Sequence, residues 1–382
     1  MSLQNNSRAV RRFAKLMTFA TWLQNIPNKI TPPPFRLIQI GTAFWQSRAL
    51  HVATRLDIAS VLGDECLEVE TLAPRVLAQP DALYRLLRML TSMGIFEEAS
   101  PRAFKNNAVS AYLREENPKN VRAMILMHNS VEMSRPWYEQ LEQGVRCGDV
   151  PFQLSHGSEF YAYMDDHVEF DSLFARAMDS VETLTGDSFA TDFDWGRFDR
   201  IIDVGGSKGS KSLAILKHYP HLTALVFDRN QVIQTAEAYW SGKESPALLS
   251  KISYQAGDLL ESVPAAQSDK DIYLLSAVLH GMEDDSCVKA LRNLSCACAS
   301  TNARIALMEL VVPELKADFS SAAFDMQMLM ATRGRERTLP EWQSLFDQSG
   351  LALEEEVGLR SIGKILVLRP KGYTPLGLLH YR

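Results

Sequence analysis

The stretch IIDVGGSKGS, residues 201–210, decides the fold. An apolar run carrying one acid, 201–204, passes directly into Gly205 and Gly206, and the helical pattern KSLAILKHY follows at 211–219. Strand, glycine turn, helix is the repeating unit of a doubly wound sheet, in which a ligand binds at the carboxyl ends of the strands near the point where strand order reverses. Glycine there lets a ligand lie against bare backbone, and the start of the following helix offers unpaired N–H groups suited to an anionic group.

Around this turn the pattern repeats. Short β-rich runs alternate with helical stretches from Phe198 onward: RIIDVG (200–205), LTALVFD (222–228), ISYQAGD (252–258), DIYLLSAVL (271–279), RIALMELVV (304–312) and GKILVLRP (363–370). Such alternation predicts an α/β, Rossmann-like domain, a mostly parallel sheet with helices on both faces. It is expected over residues 191–382, with the boundary near residue 190.

The preceding residues read differently. From Phe35 to about Glu115 the period is helical. VETLAPRVLAQPDALYRLLRMLTSM (69–93) reads helix, turn, helix, with Pro80 and Asp81 opening the second helix. GIFEEASPRAFKNN (94–107) follows as a hairpin or wing. Helix-turn-helix with a wing is a shape used on DNA, but Asp64, Glu65, Glu68 and Glu70 flank it, where a DNA reader is basic. Residues 1–115 are therefore expected to form a mostly α-helical, winged-helix packing or dimerisation domain. Residues 116–190 are expected to be helical, rich in Met, Phe and Tyr, and to supply the substrate-pocket region.

Bulk properties narrow the function. At 382 residues the chain exceeds one ordinary core. A net charge of −6 argues against non-specific nucleic-acid binding, and no window supplies the roughly 18 uncharged apolar residues of a membrane span. Five cysteines, an odd number without paired spacing, fit a reducing compartment such as the cytoplasm. Cys296 and Cys298 have no second Cys or His pair to complete a zinc site, and no metal is expected. No acid precedes Asp57, while Arg8, Arg11, Arg12, Lys15, Lys29, Arg36, Arg48 and Arg55 are basic. AVRRFAKLMTFATWLQNI (9–26) can be an amphipathic helix: an organelle-targeting segment, a membrane-surface helix, or an arm packed on a partner subunit. The last is favoured, because Phe13, Leu16, Met17, Phe19, Trp22 and Leu23 need burial.

Two further acids sharpen the ligand. Asp228 ends the second strand, 23 residues after Gly205, where a carboxylate suits ribose hydroxyls. Asp258 ends the third. These spacings do not separate a dinucleotide from another adenosine compound.

Taken in order, DVGGSKG, FDRNQVI, GDLL, DIYLLSAVLHGMEDDSCVKALRN, MELVVPE and GRERTLPEWQSLF resemble the class I S-adenosylmethionine-dependent O-methyltransferases of the plant caffeate/hydroxyindole type, which also occur in microbial natural-product pathways. LAPRVLAQPDALYRLLRMLTSMGIFEE is similar to the winged-helix dimerisation domain of that family, so the resemblance covers nearly the whole chain. It implies a homodimer in which each N-terminal domain helps close the partner's pocket. It implies S-adenosylmethionine as cofactor, with Gly205 under its amino-acid end, Asp228 on the ribose, Asp258 and Leu259 framing the adenine, and Gly206, Arg229 and Ser276 completing the set.

The resemblance also implies the chemistry. His280, at the end of the fourth strand, is the expected general base, and a His just after a buried strand at the ligand edge is well placed for proton transfer. Glu309 and Glu336 match two acids that orient the base, although Arg333, Arg335 and Arg337 surround Glu336 and offer it simple ion pairs. Met178 and Met328 match methionines that sandwich an aromatic acceptor. His128, His156 and His218 are read as structural. The expected activity is methyl transfer to a phenolic or enolic hydroxyl of a small molecule, a secondary metabolite. Ser207 replaces a family glycine, Ser276 a lysine that helps hold the cofactor in plant members, and Gly281-Met282 an Asp-Trp. These departures keep open a relative that binds S-adenosylmethionine without transferring methyl (a pericyclase, decarboxylase or hydroxylase). A winged-helix regulator sensing a nucleoside ligand is the reading from another class, disfavoured by the acidic N-terminal module.

Overall fold

In a computed structural model the described residues are 7–361 and 363–371. They fall into two compact units, residues 19–186 and residues 7–18 together with 187–371.

In the first unit, helices Ala43–Arg55, Val69–Arg75 and Pro80–Ser92 pack with a small antiparallel sheet of β1 (Leu67–Glu68), β2 (Phe96–Ser100) and β3 (Ala103–Asn106), in the order β1-β3-β2. Pro80 opens its helix because its missing N–H would have had no partner there anyway, and the Gln79 side chain caps the Ala82 N–H. Leu72, Leu83, Leu87, Leu90, Phe96 and Phe104 form the core. Helix, turn, helix and wing are thus all present. The following segment is helical as expected, and Phe152, Phe160, Tyr163 and Phe170 gather edge-to-face within it. Residues 9–26 do lie in one helix, Ser7–Ile30, with Leu16, Met17, Phe19, Trp22 and Leu23 exposed on this single chain. Among the described residues no helix is long and apolar enough to cross a membrane.

The second unit holds a seven-stranded sheet. Its strands are β4 (Arg200–Val204), β5 (Thr223–Asp228), β6 (Ile252–Ala256), β7 (Asp271–Ser276), β8 (Arg304–Glu309), β11 (Leu351–Gly358) and β12 (Lys364–Pro370). A separate two-stranded parallel pair joins β9 (Val311–Val312) to β10 (Arg337–Thr338). The large sheet runs β11-β12-β8-β7-β4-β5-β6. Pairings from β6 to β8 are parallel, and β12 is antiparallel to both its neighbours. Order reverses between β4 and β7, which places the site. Apolar side chains fill both faces: Leu291, Leu294, Trp342 and Phe346 pack on one, Leu213, Leu216 and Trp195 on the other.

β11 was not legible beforehand. Its sequence LALEEEVG carries Glu354, Glu355 and Glu356, three consecutive acids that break the apolar pattern of a strand. They are tolerated because β11 is the edge strand, and charge on an exposed edge discourages pairing with other chains.

Leu291 is fully buried in the helix Asp284–Ala297 against the sheet. Leu291→Ala is expected to cost about 2–5 kcal/mol, read as a lower urea midpoint for the transition of the second unit.

Candidate active site

Every expected donor-binding residue lies at the carboxyl end of a strand, and backbone geometry explains why. Gly205 leaves β4 at φ +71° with its N–H on the Phe227 carbonyl at 2.8 Å. A Cβ on Gly205 would stand 2.7 Å from a Val278 methyl, so the residue must stay bare. Ser207, in place of a family glycine, also takes a positive φ, +52°. Its N–H donates to Asp228 Oδ2 at 2.8 Å, and the Arg229 N–H donates to Asp228 Oδ1 at 2.7 Å. The Asp228 carboxylate therefore ties the glycine turn to the end of β5. A carboxylate can accept about four hydrogen bonds, so two lone pairs remain for a ligand. Asp258 is exposed just beyond β6 and caps the Leu260 N–H at 2.8 Å. Leu259 is buried, its carbonyl held by the Asn293 side chain at 2.8 Å. Ser276 is the last residue of β7, half-buried and opposite Met308.

Bare backbone at Gly205, a partly free carboxylate at Asp228 and a second exposed carboxylate at Asp258 suit an adenosine compound. Among the described residues no cluster of three or more His, Cys, Asp or Glu side chains is placed to hold a metal ion.

The reacting end is built on the loop after β7. The chain leaves the strand through Ala277, at φ +53°, and makes one 3-10 turn, Leu279–Gly281, that presents His280. His280 Nδ1 meets Glu336 Oε1 at 2.8 Å, and Glu336 is almost wholly buried. Gly334 packs so closely on the His280 carbonyl that an added Cβ would overlap it. Two of the arginines that crowd Glu336 in sequence go elsewhere: Arg335 and Arg337 both pair with Asp284, at 2.5 and 2.8 Å.

Glu309 differs from the expectation. Its Oε1 accepts the backbone N–H groups of Val278 and Leu279 at 3.1 and 3.0 Å rather than touching the imidazole. It braces the turn, whereas Glu336 holds the ring. Burial pushes the Glu309 carboxyl above the usual carboxylate range and the Glu336 charge adds to this, against the pull of His280. For His280, burial disfavours the charged ring, but the hydrogen bond to Glu336 and the charges of Glu309 and Glu336 outweigh it. The imidazole is held above its ordinary 6.5.

Met328 is half-buried on helix Phe319–Ala331, one turn after Asp325, whose Oδ1 accepts the Glu336 N–H at 2.9 Å. Met178 is half-buried on helix Val168–Thr185 of the other unit. Of the histidines read as structural, His156 bonds the Glu132 carbonyl at 2.9 Å, and burial lowers the basicity of His128. Sequence reasoning missed Asp284, Asp325 and Gly334. Asp284 and Asp325 are ordinary helix acids in the sequence, and only the fold brings them to the segment 335–337 beside His280.

Comparison with known proteins gives the family. Residues 138–352 match the O-methyltransferase domain and residues 38–116 the O-methyltransferase dimerisation domain. A phenazine O-methyltransferase of Lysobacter antibioticus is 31% identical over 336 residues, covering 87% of this chain and 95% of its own. A phenazine-1-carboxylate N-methyltransferase of Pseudomonas aeruginosa is 29% identical over 333 residues, 87% of this chain and 96% of its own. Among solved structures, the methyltransferase of calicheamicin biosynthesis in its S-adenosylhomocysteine-bound form superposes with a TM-score of 0.75 at 27% identity, covering 88% of this chain and 98% of that one. The chain belongs to the O-methyltransferase family. It is an S-adenosylmethionine-dependent methyltransferase of the small-molecule, secondary-metabolite type.

The raised His280 value has a sign that can be checked. A folded value above the unfolded one contributes stability that is complete below about pH 6.5 and lost as pH rises through the folded value. An NMR titration is expected to place His280 above 6.5, and Glu336→Gln is expected to lower it. An unchanged value in the variant would show that Glu336 does not hold the ring.

Proposed function

We propose that the enzyme transfers methyl to a phenolic or enolic hydroxyl of a small secondary metabolite, with His280 as general base. The observation that carries this is the hydrogen bond of 2.8 Å between His280 Nδ1 and Glu336. With its proton on Nδ1 facing the carboxylate, the neutral ring keeps its Nε2 lone pair to accept a proton. Glu336 then stabilises the imidazolium that forms.

S-adenosylmethionine, when bound, supplies an electrophilic methyl on a sulfonium and leaves as S-adenosylhomocysteine. Gly205, Gly206, Asp228, Arg229, Asp258, Leu259 and Ser276 are assigned to hold it. The energetic demand on His280 is moderate. A phenol of pKa about 10 loses its proton to an ordinary imidazole of about 6.5 at a cost of roughly 5 kcal/mol. Raising the basicity of His280 narrows that gap, and the low dielectric of a closed site strengthens attraction between a developing oxyanion and a nearby cation. Met178 and Met328 are assigned to the faces of an aromatic acceptor, for which polarisable thioethers are suited.

The working form is proposed to be a homodimer. The matched dimerisation domain supports this, as do Phe35, Leu37, Ile38, Ile40, Phe44 and Trp45, apolar side chains left exposed on the single chain. Exposed free thiols at Cys66 and Cys147 fit a cytoplasmic setting.

Mass spectrometry on the purified enzyme with S-adenosylmethionine and a panel of phenols and enols tests the proposal. Methylated product with matching S-adenosylhomocysteine is expected, reduced about 10²–10⁴-fold in His280→Ala. Methylation that survives the substitution would remove His280 from the mechanism. A rearranged substrate with the donor's methyl retained would move the enzyme to the non-methylating class.

A further inference from the structure

The segment 334–337 does more than deliver Glu336 to the ring. Arg337 is completely buried. Its Nη1 donates to the Leu279 carbonyl at 3.2 Å and its Nη2 to the Met282 carbonyl at 2.8 Å. Nε and Nη2 both reach Asp284 Oδ1, at 3.0 and 2.8 Å, and Trp342 lies under the guanidinium at 5.1 Å. The two carbonyls bracket His280. Glu309 takes the Leu279 N–H at 3.0 Å. Both backbone groups of Leu279, the residue before the base, are therefore held by side chains, the Glu309 carboxyl and the Arg337 guanidinium. The guanidinium bond is charge-assisted, a kind roughly twice as strong as a neutral one, and the turn cannot rotate without breaking one of the two.

The choice of arginine follows from geometry. A planar fork serves two carbonyls and a carboxylate at once, which a lysine ammonium on a flexible stem does not. Its positive charge works against a protonated His280, so its service to the base is mechanical rather than electrostatic. Asp284 supplies the counter-charge that a buried cation requires.

We propose that Arg337, with Asp284 as its counter-charge, is a positioning residue for the base: it fixes the turn 279–282 so that His280 meets Glu336 in one ring orientation. The proposal rests on His280 being the base.

The test uses full-length enzyme with ¹⁵N-labelled histidine. The hydrogen-bonded Nδ1 proton of His280 is identified by its loss in His280→Gln. In Arg337→Lys that signal is expected to broaden or vanish although the protein stays folded, with kcat down roughly 10- to 100-fold and KM for S-adenosylmethionine unchanged. Should Arg337→Lys not fold, Asp284→Asn decides, since its side chain is 44% exposed; the same signal is expected to broaden to a smaller degree. A folded variant that keeps the wild-type signal overturns the proposal. The two assignments fail separately: full activity in His280→Gln with a changed signal in Arg337→Lys would sink the base and leave the clamp, and the reverse pattern would sink the clamp and leave the base.

Discussion

A carboxylate set where an apolar strand ends holds the site together. Glu309 closes β8 after four buried apolar residues, Ile305–Met308. Taking such a group out of water is costly unless hydrogen bonds replace its hydration. The loop after the neighbouring strand supplies them to one oxygen, Oε1, while Oε2 is buried without a hydrogen bond. β7 and β8 are parallel, so their carboxyl ends finish side by side, and the N–H groups of Val278 and Leu279 emerge where Glu309 can receive them. Everything downstream in β7's loop is placed from that point: the turn, the imidazole and the residues that grip it. Without the bond, the turn that carries His280 would lose its tie to β8 and keep only its ties to the segment 334–337.

A second tie of the same kind lies across the order reversal. Asp228 at the end of β5 binds the backbone of the glycine turn after β4. Two acids, each ending one strand and bound to the loop after its neighbour, thus fix the glycine turn and the turn that presents His280. The chemistry differs between them because the environments differ. Asp228 is partly open, retaining capacity for a ligand, while Glu309 is enclosed and spends its Oε1 on the turn.

Much of this was legible in the sequence. Alternating β-rich and helical runs gave six of the seven strands of the large sheet, and the turn at Gly205 located their carboxyl ends. The winged N-terminal module followed from Pro80, the flanking apolar periods and the hairpin at 94–107. The reversed direction of β12 was not legible, since residue pattern within a strand carries no sense of direction. β11 was hidden because three consecutive glutamates at an exposed edge look like any solvated run. Within the site, His280, Glu309 and Glu336 were named from the sequence, yet the division of labour between the two acids was not. Whether a carboxylate binds an imidazole or the peptide before it depends on distances of a few ångströms across elements 30 to 56 residues apart. Asp284 illustrates the same limit, because only the fold turns a helix-opening acid into the counter-ion of Arg337.

The loops after β4 and β7 share one further property. Ser207 and Ala277 both adopt left-handed backbone, where a side chain costs about 1–2 kcal/mol relative to glycine. Glycine at either position would relieve that cost, but it would also enlarge the conformational freedom of the loops that carry Gly205 and His280. The protein thus keeps an entropic stiffener at each side of its reaction centre at the expense of thermodynamic optimum. An effort to raise its melting temperature by inserting glycine there would trade catalytic order for heat resistance, and its thermal activity optimum and its unfolding temperature would move apart.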